Sequence, residues 1–175
     1  MIQPAGQNLS SEYCDIGGEQ FFQIANVHKM DEFFLSIVSA FDHWMFITSR
    51  GALTAGRKNS RYSLFPYYCA DKIIDGSSST GSLTIVRIER PNGQLVLWSP
   101  MAGVSIADTN VSRSLYRNLN GSKIIFEEIN HDLELSFRYS WGFSQKFGFV
   151  RESCLSNDSL LPQSCTVLDL SLIHI

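Results

Sequence analysis

A chain of 175 residues is the size of one domain and long enough to bury a core without disulfide staples. Apolar residues make up 44% and charged residues 18%, the balance of a globular rather than a disordered chain. The net charge is −3 and Lys and Arg never form a run, which excludes the basic footprint of a nucleic-acid binder or of an anionic membrane surface.

Residues 1–16 read as a flexible N-terminal segment, polar through residue 11, and Gly17-Gly18 marks the first turn. From there to residue 169 the chain reads as a single β-sandwich domain. Short apolar strands are predicted over 20–26, 33–39, 43–49 and 52–56, and the unbroken start FFL at Phe33 suits a strand buried on both faces. The 76–81 stretch GSSSTG is a polar loop. Residues 83–89 alternate cleanly and 94–98 form the partner strand, with Asn92-Gly93 between them as a strong hairpin signal, because both residues accept positive φ.

A long loop is predicted over 99–110, then strands over 112–119 and 123–129 around a second Asn-Gly, Asn120-Gly121. In 133–139, Leu133, Leu135, Phe137 and Tyr139 share one face, with Glu134, Ser136 and Arg138 on the other. Two last strands, 145–155 and 163–168, complete a meander. No segment holds a helical period, so the chain reads as all-β, an antiparallel β-sandwich.

The cysteines, Cys14, Cys69, Cys154 and Cys165, have neither C-x-x-C nor metal-like spacing with His and read as buried free thiols. The opening residues lack a basic-then-apolar leader pattern, and no apolar run reaches bilayer length, so the chain is expected to be cytoplasmic. No metal site or cofactor is expected: His28, His43 and His131 are dispersed, and no phosphate-loop or nucleophile-elbow pattern is present.

Polar chemistry concentrates in 42–72, which holds five basic residues, Trp44, His43 and two adjacent tyrosines around two glycine turns. Arg50, Arg57, Lys58, Arg61 and Lys72 suit phosphate or sugar oxygens, and glycines at 51 and 56 allow close backbone approach. The plainer account is a pair of solvated turns. Trp44, Trp98 and Trp141, with Tyr67 and Tyr68, offer flat faces to sugar rings, against the simpler role of core aromatics. Glu127 and Glu128 are adjacent on a strand and point to opposite faces, so they cannot pair for glycoside chemistry, and Asp71 and Asp75 could do so only across a turn. Solvated acids are the better reading of these carboxylates.

The segments FFLSIVSAFDHWMFITSRGALTAGRKN, LFPYYCADKI with its following TGS, FEEINHDLELSFRYSW and KFGFVRESCLSND resemble the start of a cellobiose-phosphorylase-like family of carbohydrate-active enzymes. The resemblance covers roughly 20–169 and implies an antiparallel supersandwich of the galactose-mutarotase-like kind, ahead of a helical (α/α) barrel that holds the catalytic acid. It therefore places no catalytic residue on this chain. It implies that the sandwich packs on the barrel, contributes to homodimer contacts and helps shape the cleft for an oligosaccharide or sugar phosphate. Whether such an enzyme is a phosphorylase or a hydrolase stays open, as does a stand-alone carbohydrate-binding module. Trp44, Arg57, Lys58, Tyr67, Asp71 and Lys72 are the expected substrate-binding or domain-interface residues. Residues 170–175, LSLIHI, resemble the translation of a sequencing-library adapter, and the native sequence is expected to continue differently past Asp169.

Overall fold

Strict alternation along most of the predicted strands leaves each with one apolar face, and those faces meet in two layers. A computed structural model describes residues 8–64, 70–75, 80–90, 92–102 and 110–172, with only the backbone of Ala70, Asp71, Asp75 and Leu172. One layer is a six-stranded antiparallel sheet in the order β1-β2-β8-β9-β10-β11. It is built from Ser10–Ile16 (β1), Glu19–Ala25 (β2), Val111–Asn118 (β8), Ile124–Asn130 (β9), Leu135–Ser144 (β10) and Gly148–Asn157 (β11). The other layer consists of two three-stranded sheets. Phe34–Val38 (β3), His43–Thr48 (β4) and Leu53–Arg57 (β5) form one; Ser164–Leu172 (β12), Gly81–Glu89 (β6) and Leu95–Trp98 (β7) form the other, in the order β12-β6-β7.

All three sheets contribute to one core. Ile37, Met45, Ile47 and Leu53 come from the first small sheet, Val86, Ile88 and Trp98 from the second, and Leu115, Phe126, Phe137 and Tyr139 from the large one. The expected all-β sandwich is the observed fold. Both Asn-Gly hairpins form where predicted, with Gly93 at φ 79° and Gly121 at φ 68°. In β10, Leu135, Phe137 and Tyr139 are all buried on the predicted face, and Trp141 extends the stripe.

Four details differ from the sequence reading. Ser10–Ile16, read as part of a flexible segment, pairs along its whole length with β2, and Cys14 and Ile16 cover Phe21 on the outer face of the large sheet. Ala70–Asp75 is a single helical turn and a half (α1), too short for a helical period to show in sequence. Cys14 and Cys165 are half-buried and Cys154 is exposed, so these three free thiols are not core residues, and Cys69 lies outside the described residues. Leu170–Leu172 continue β12 and pair with Leu83, Ser82 and Gly81, because Leu-Ser-Leu prolongs the alternation of the strand before it. No helix among the described residues is long and apolar enough to cross a membrane.

The two layers are tied at one edge by Asp169. Its carboxylate accepts from Arg151 Nη1 at 2.5 Å and Ser153 Oγ at 2.7 Å on β11, and from Thr84 Oγ1 at 2.6 Å on β6. Burial works against the charged form, yet these hydrogen bonds outweigh it and hold the carboxyl below its ordinary value. A folded pKa below the unfolded one means stability present above the unfolded pKa of about 4 and lost as pH falls through the folded value. Asp169→Asn is therefore expected to lower stability by about 1 kcal/mol at neutral pH, a modest figure because the pair is partly solvated. The difference from wild type should shrink on acidification below about pH 4. Urea unfolding at several pH values checks this, and a difference independent of pH would refute it.

Candidate functional site

The residues that matter for a site sit on the inner face of the large sheet, and strand alternation puts them there. Arg113 shares the face of Val111 and Leu115 on β8, and Glu128 shares the face of Ile124 and Phe126 on β9. The register sets Arg113 directly opposite Glu128. Arg113 Nε donates to Glu128 Oε2 at 2.6 Å, Trp98 Nε1 donates to Oε1 at 2.7 Å, and the backbone N–H of Met101 donates to Oε2 at 2.8 Å. Glu128 is 1% exposed. This corrects the reading of the carboxylates as solvated acids: alternation sends Glu128 inward, where a buried charge persists only if it is paired and hydrogen-bonded.

Beside this cluster lies a cavity of about 590 Å³. Its floor is Arg113, Phe126 and Tyr139 on adjacent strands β8, β9 and β10; Phe126 and Tyr139 are stacked with centroids 4.9 Å apart, and the Arg151 guanidinium stands 4.8 Å from the centre of the Tyr139 ring. The β4–β5 turn brings Ser49, Arg50 and Gly51 to one wall. Residues 80–84 and 99–102 form others, and Val27 and His28, in a one-turn 3-10 helix after β2, close the remaining side.

Two glycines let these walls approach. Gly51 adopts φ 91°, and a Cβ there would come within 2.6 Å of the Tyr139 hydroxyl; Gly81 adopts φ 106°, and its Cβ would run into the Gly51 carbonyl oxygen. Burial pushes the Tyr139 phenol well above its ordinary range, so it stays protonated. The His28 imidazole is shifted downward, chiefly by burial and then by the positive charges of Arg113 and Lys29. His28 is thus neutral at pH 7, and its Nδ1 is covered and has no partner among the described residues.

The residues expected from sequence occupy other places. Trp44 and Arg57 fall in adjacent register rows, Trp44 opposite Gly56 and Arg57 opposite His43, so they point to opposite faces of their sheet. Trp44 is half-buried near Phe46, with centroids 6.0 Å apart. Arg57 is exposed at the end of β5, and Lys58 follows it in a left-handed turn, φ 61°, with its N–H donating to the Asp42 carbonyl. Lys72 is exposed on α1. None of the three cations makes an ion pair among the described residues. Tyr67 and the side chain of Asp71 lie outside them. Among the described residues of the 42–72 stretch, Ser49, Arg50 and Gly51 line the cavity.

His28, Arg113 and Tyr139 were not singled out as site residues, although a signal existed for Arg113. A charged residue at an apolar position of an alternating strand, as in Val111-Ser-Arg113-Ser-Leu115, announces a buried ion pair. Nothing local could announce His28, which reaches the cavity only through the turn after β2.

Comparison with protein-family models and with curated proteins gives no match to this chain.

The Glu128 cluster carries a direct test. Glu128→Ala strands the Arg113 guanidinium, an indole N–H and a backbone N–H in a dry interior, with an expected loss of about 3–5 kcal/mol. Urea unfolding followed by tryptophan fluorescence measures it, and a loss under about 1 kcal/mol would show that the cluster is solvated.

Proposed function

We propose that the chain is a non-catalytic β-sandwich of a carbohydrate-active enzyme acting on glycosidic bonds, a glycoside phosphorylase or hydrolase, and that its role is to hold sugar rather than to cleave it. The observation that carries this reading is the cavity above Phe126 and Tyr139. Its volume suits a small ligand, and it combines stacked aromatic rings with hydroxyl, imidazole and guanidinium groups. The carboxylate beside it, Glu128, has both oxygens engaged by Arg113, Trp98 and the Met101 N–H and is not free for general acid or base work. The sequence resemblance adds the enzyme class.

The outer face of the β12-β6-β7 sheet favours a domain that packs on another, as a helical barrel would, over a stand-alone binding module. Leu83, Leu95, Leu97 and Leu168 are 39–71% exposed there, around a half-buried Ile85, with Arg87 and Glu89 toward one end. A face of that composition calls for cover.

Calorimetric titration with a panel of oligosaccharides and sugar phosphates tests the reading. Ala102, an exposed residue at the cavity rim, offers a blocking variant, and Arg57→Ala probes the far end of the β4–β5 hairpin, beside His43, instead. Binding that weakens at least about tenfold in Ala102→Trp and persists in Arg57→Ala is the expected result. Loss in Arg57→Ala alone would move the site to that far end, and silence of the wild type across the panel would sink the proposal.

A further inference from the structure

Three buried polar atoms of the cavity lining have no partner among the described residues, Ser82 Oγ, Arg113 Nη2 and His28 Nδ1, and the last two are of opposite kind. Arg113 has a side chain 9% exposed and spends Nε on Glu128, while its Nη2 is buried and has no acceptor among the described residues. Nη2 can only donate. On the neighbouring wall, His28 Nδ1 is buried without a partner, and a neutral imidazole can present that atom as an acceptor. Both residues line the same space, and a covered polar atom without a protein partner is a place for a ligand group to bond. A group that accepts from one atom and donates to the other resolves both, and a hydroxyl is the simplest such group.

Charge narrows the class further. The cations lining the cavity are Arg113 and Arg50, and each already faces a carboxylate: Glu128 at 2.6 Å, and Glu32 at 3.8 Å from Arg50 Nε. No cation among the described lining residues is left over to balance a phosphate or a uronate, and burying an uncompensated anion there would be costly. The apolar part of the lining, Phe126 with Val27 and Pro100, suits the C–H faces of a pyranose.

We infer that the cavity takes an uncharged sugar, one hydroxyl of which accepts from Arg113 Nη2 and donates to His28 Nδ1. This rests on the sugar-binding reading above and decides within it for neutral saccharides over sugar phosphates. Arg113 is unsuitable for replacement because Glu128 depends on it. His28 is half-buried at the wall, and the informative variants are His28→Phe, which keeps a ring and removes the acceptor, and His28→Asn, whose amide oxygen, carried on Cγ like Nδ1, takes its place.

The experiment is calorimetry of the whole chain with cellobiose, maltose, lactose, glucose 1-phosphate and glucuronate, with folding of each variant checked by circular dichroism. The wild type is expected to bind at least one neutral disaccharide more tightly than either anion. His28→Phe should weaken that binding about tenfold, while His28→Asn stays within about threefold of wild type. Neutral-sugar binding that survives unchanged in His28→Phe overturns the inference and leaves the sugar-binding reading standing. So does a tenfold preference of the wild type for glucose 1-phosphate or glucuronate. Failure of every sugar to bind the wild type removes both.

Discussion

The buried carboxylate of Glu128 is the constraint around which both layers are arranged. It belongs to the large sheet, yet it accepts from the Trp98 indole at the end of β7 and from the Met101 N–H just beyond, both part of the opposing layer. Hydrophobic contact alone would hold the layers together without fixing how they sit, since apolar faces tolerate sliding. A charge with three directional donors does not. Any shift of β7 over β9 leaves an ionised oxygen unmatched in a low-dielectric interior, where the penalty is several kcal/mol. The same cluster frames the cavity: Arg113 lies in its floor, and Met101 is held in its wall.

Adjacent residues on β9 divide the labour between two faces. Glu127 points outward, where it accepts from the Tyr116 hydroxyl at 2.5 Å and from Arg138, whose guanidinium also stands 5.7 Å from the Tyr116 ring centre. Burial first, and then the contact with Glu127, pushes the Tyr116 phenol far above its ordinary value. Gln23 extends this network to β2 by donating to the Tyr116 hydroxyl at 3.2 Å. The outer network therefore ties β2, β8, β9 and β10 sideways within one sheet, whereas the inner cluster ties one sheet to the other. Both are partly or wholly buried charge pairs, and they differ in which direction of motion they forbid.

Strand alternation made the fold readable and, for the same reason, hid the site. The period-two pattern of LELSFRY and the two Asn-Gly turns carried the sandwich, because these signals are local; the structure follows the alternation from Leu135 on, with Leu133 and Glu134 in the turn before β10. The cavity is assembled from β8, β9, β10, the β4–β5 turn, residues 80–84, residues 99–102 and the turn at His28, segments that span from Val27 to Tyr139. No local pattern encodes such a meeting. The density of basic and aromatic residues in 42–72 pointed instead at a stretch whose side chains alternation splits between two faces, as the rows His43–Arg57 and Trp44–Gly56 illustrate. Concentration in sequence is a poor guide to concentration in space when the period is two.

What the 42–72 stretch contributes is a backbone rather than a set of side chains. The turn after β4 closes with Gly51 N–H donating to the Thr48 carbonyl at 2.9 Å and the Thr48 N–H donating to the Ala52 carbonyl at 2.8 Å. That geometry needs the positive φ of Gly51, and it lets the chain pass over the Tyr139 hydroxyl on one side and against Gly81 on the other. Two small sheets that share no strand thus come into backbone contact directly above the large one. A side chain at Gly81 would push them apart and one at Gly51 would run into the Tyr139 hydroxyl, and in either case the cavity between His28, Arg113 and Tyr139 would lose its wall. The pocket is a consequence of where two residues have no side chain at all, which is why a search for chemically active residues passes over the feature that makes it.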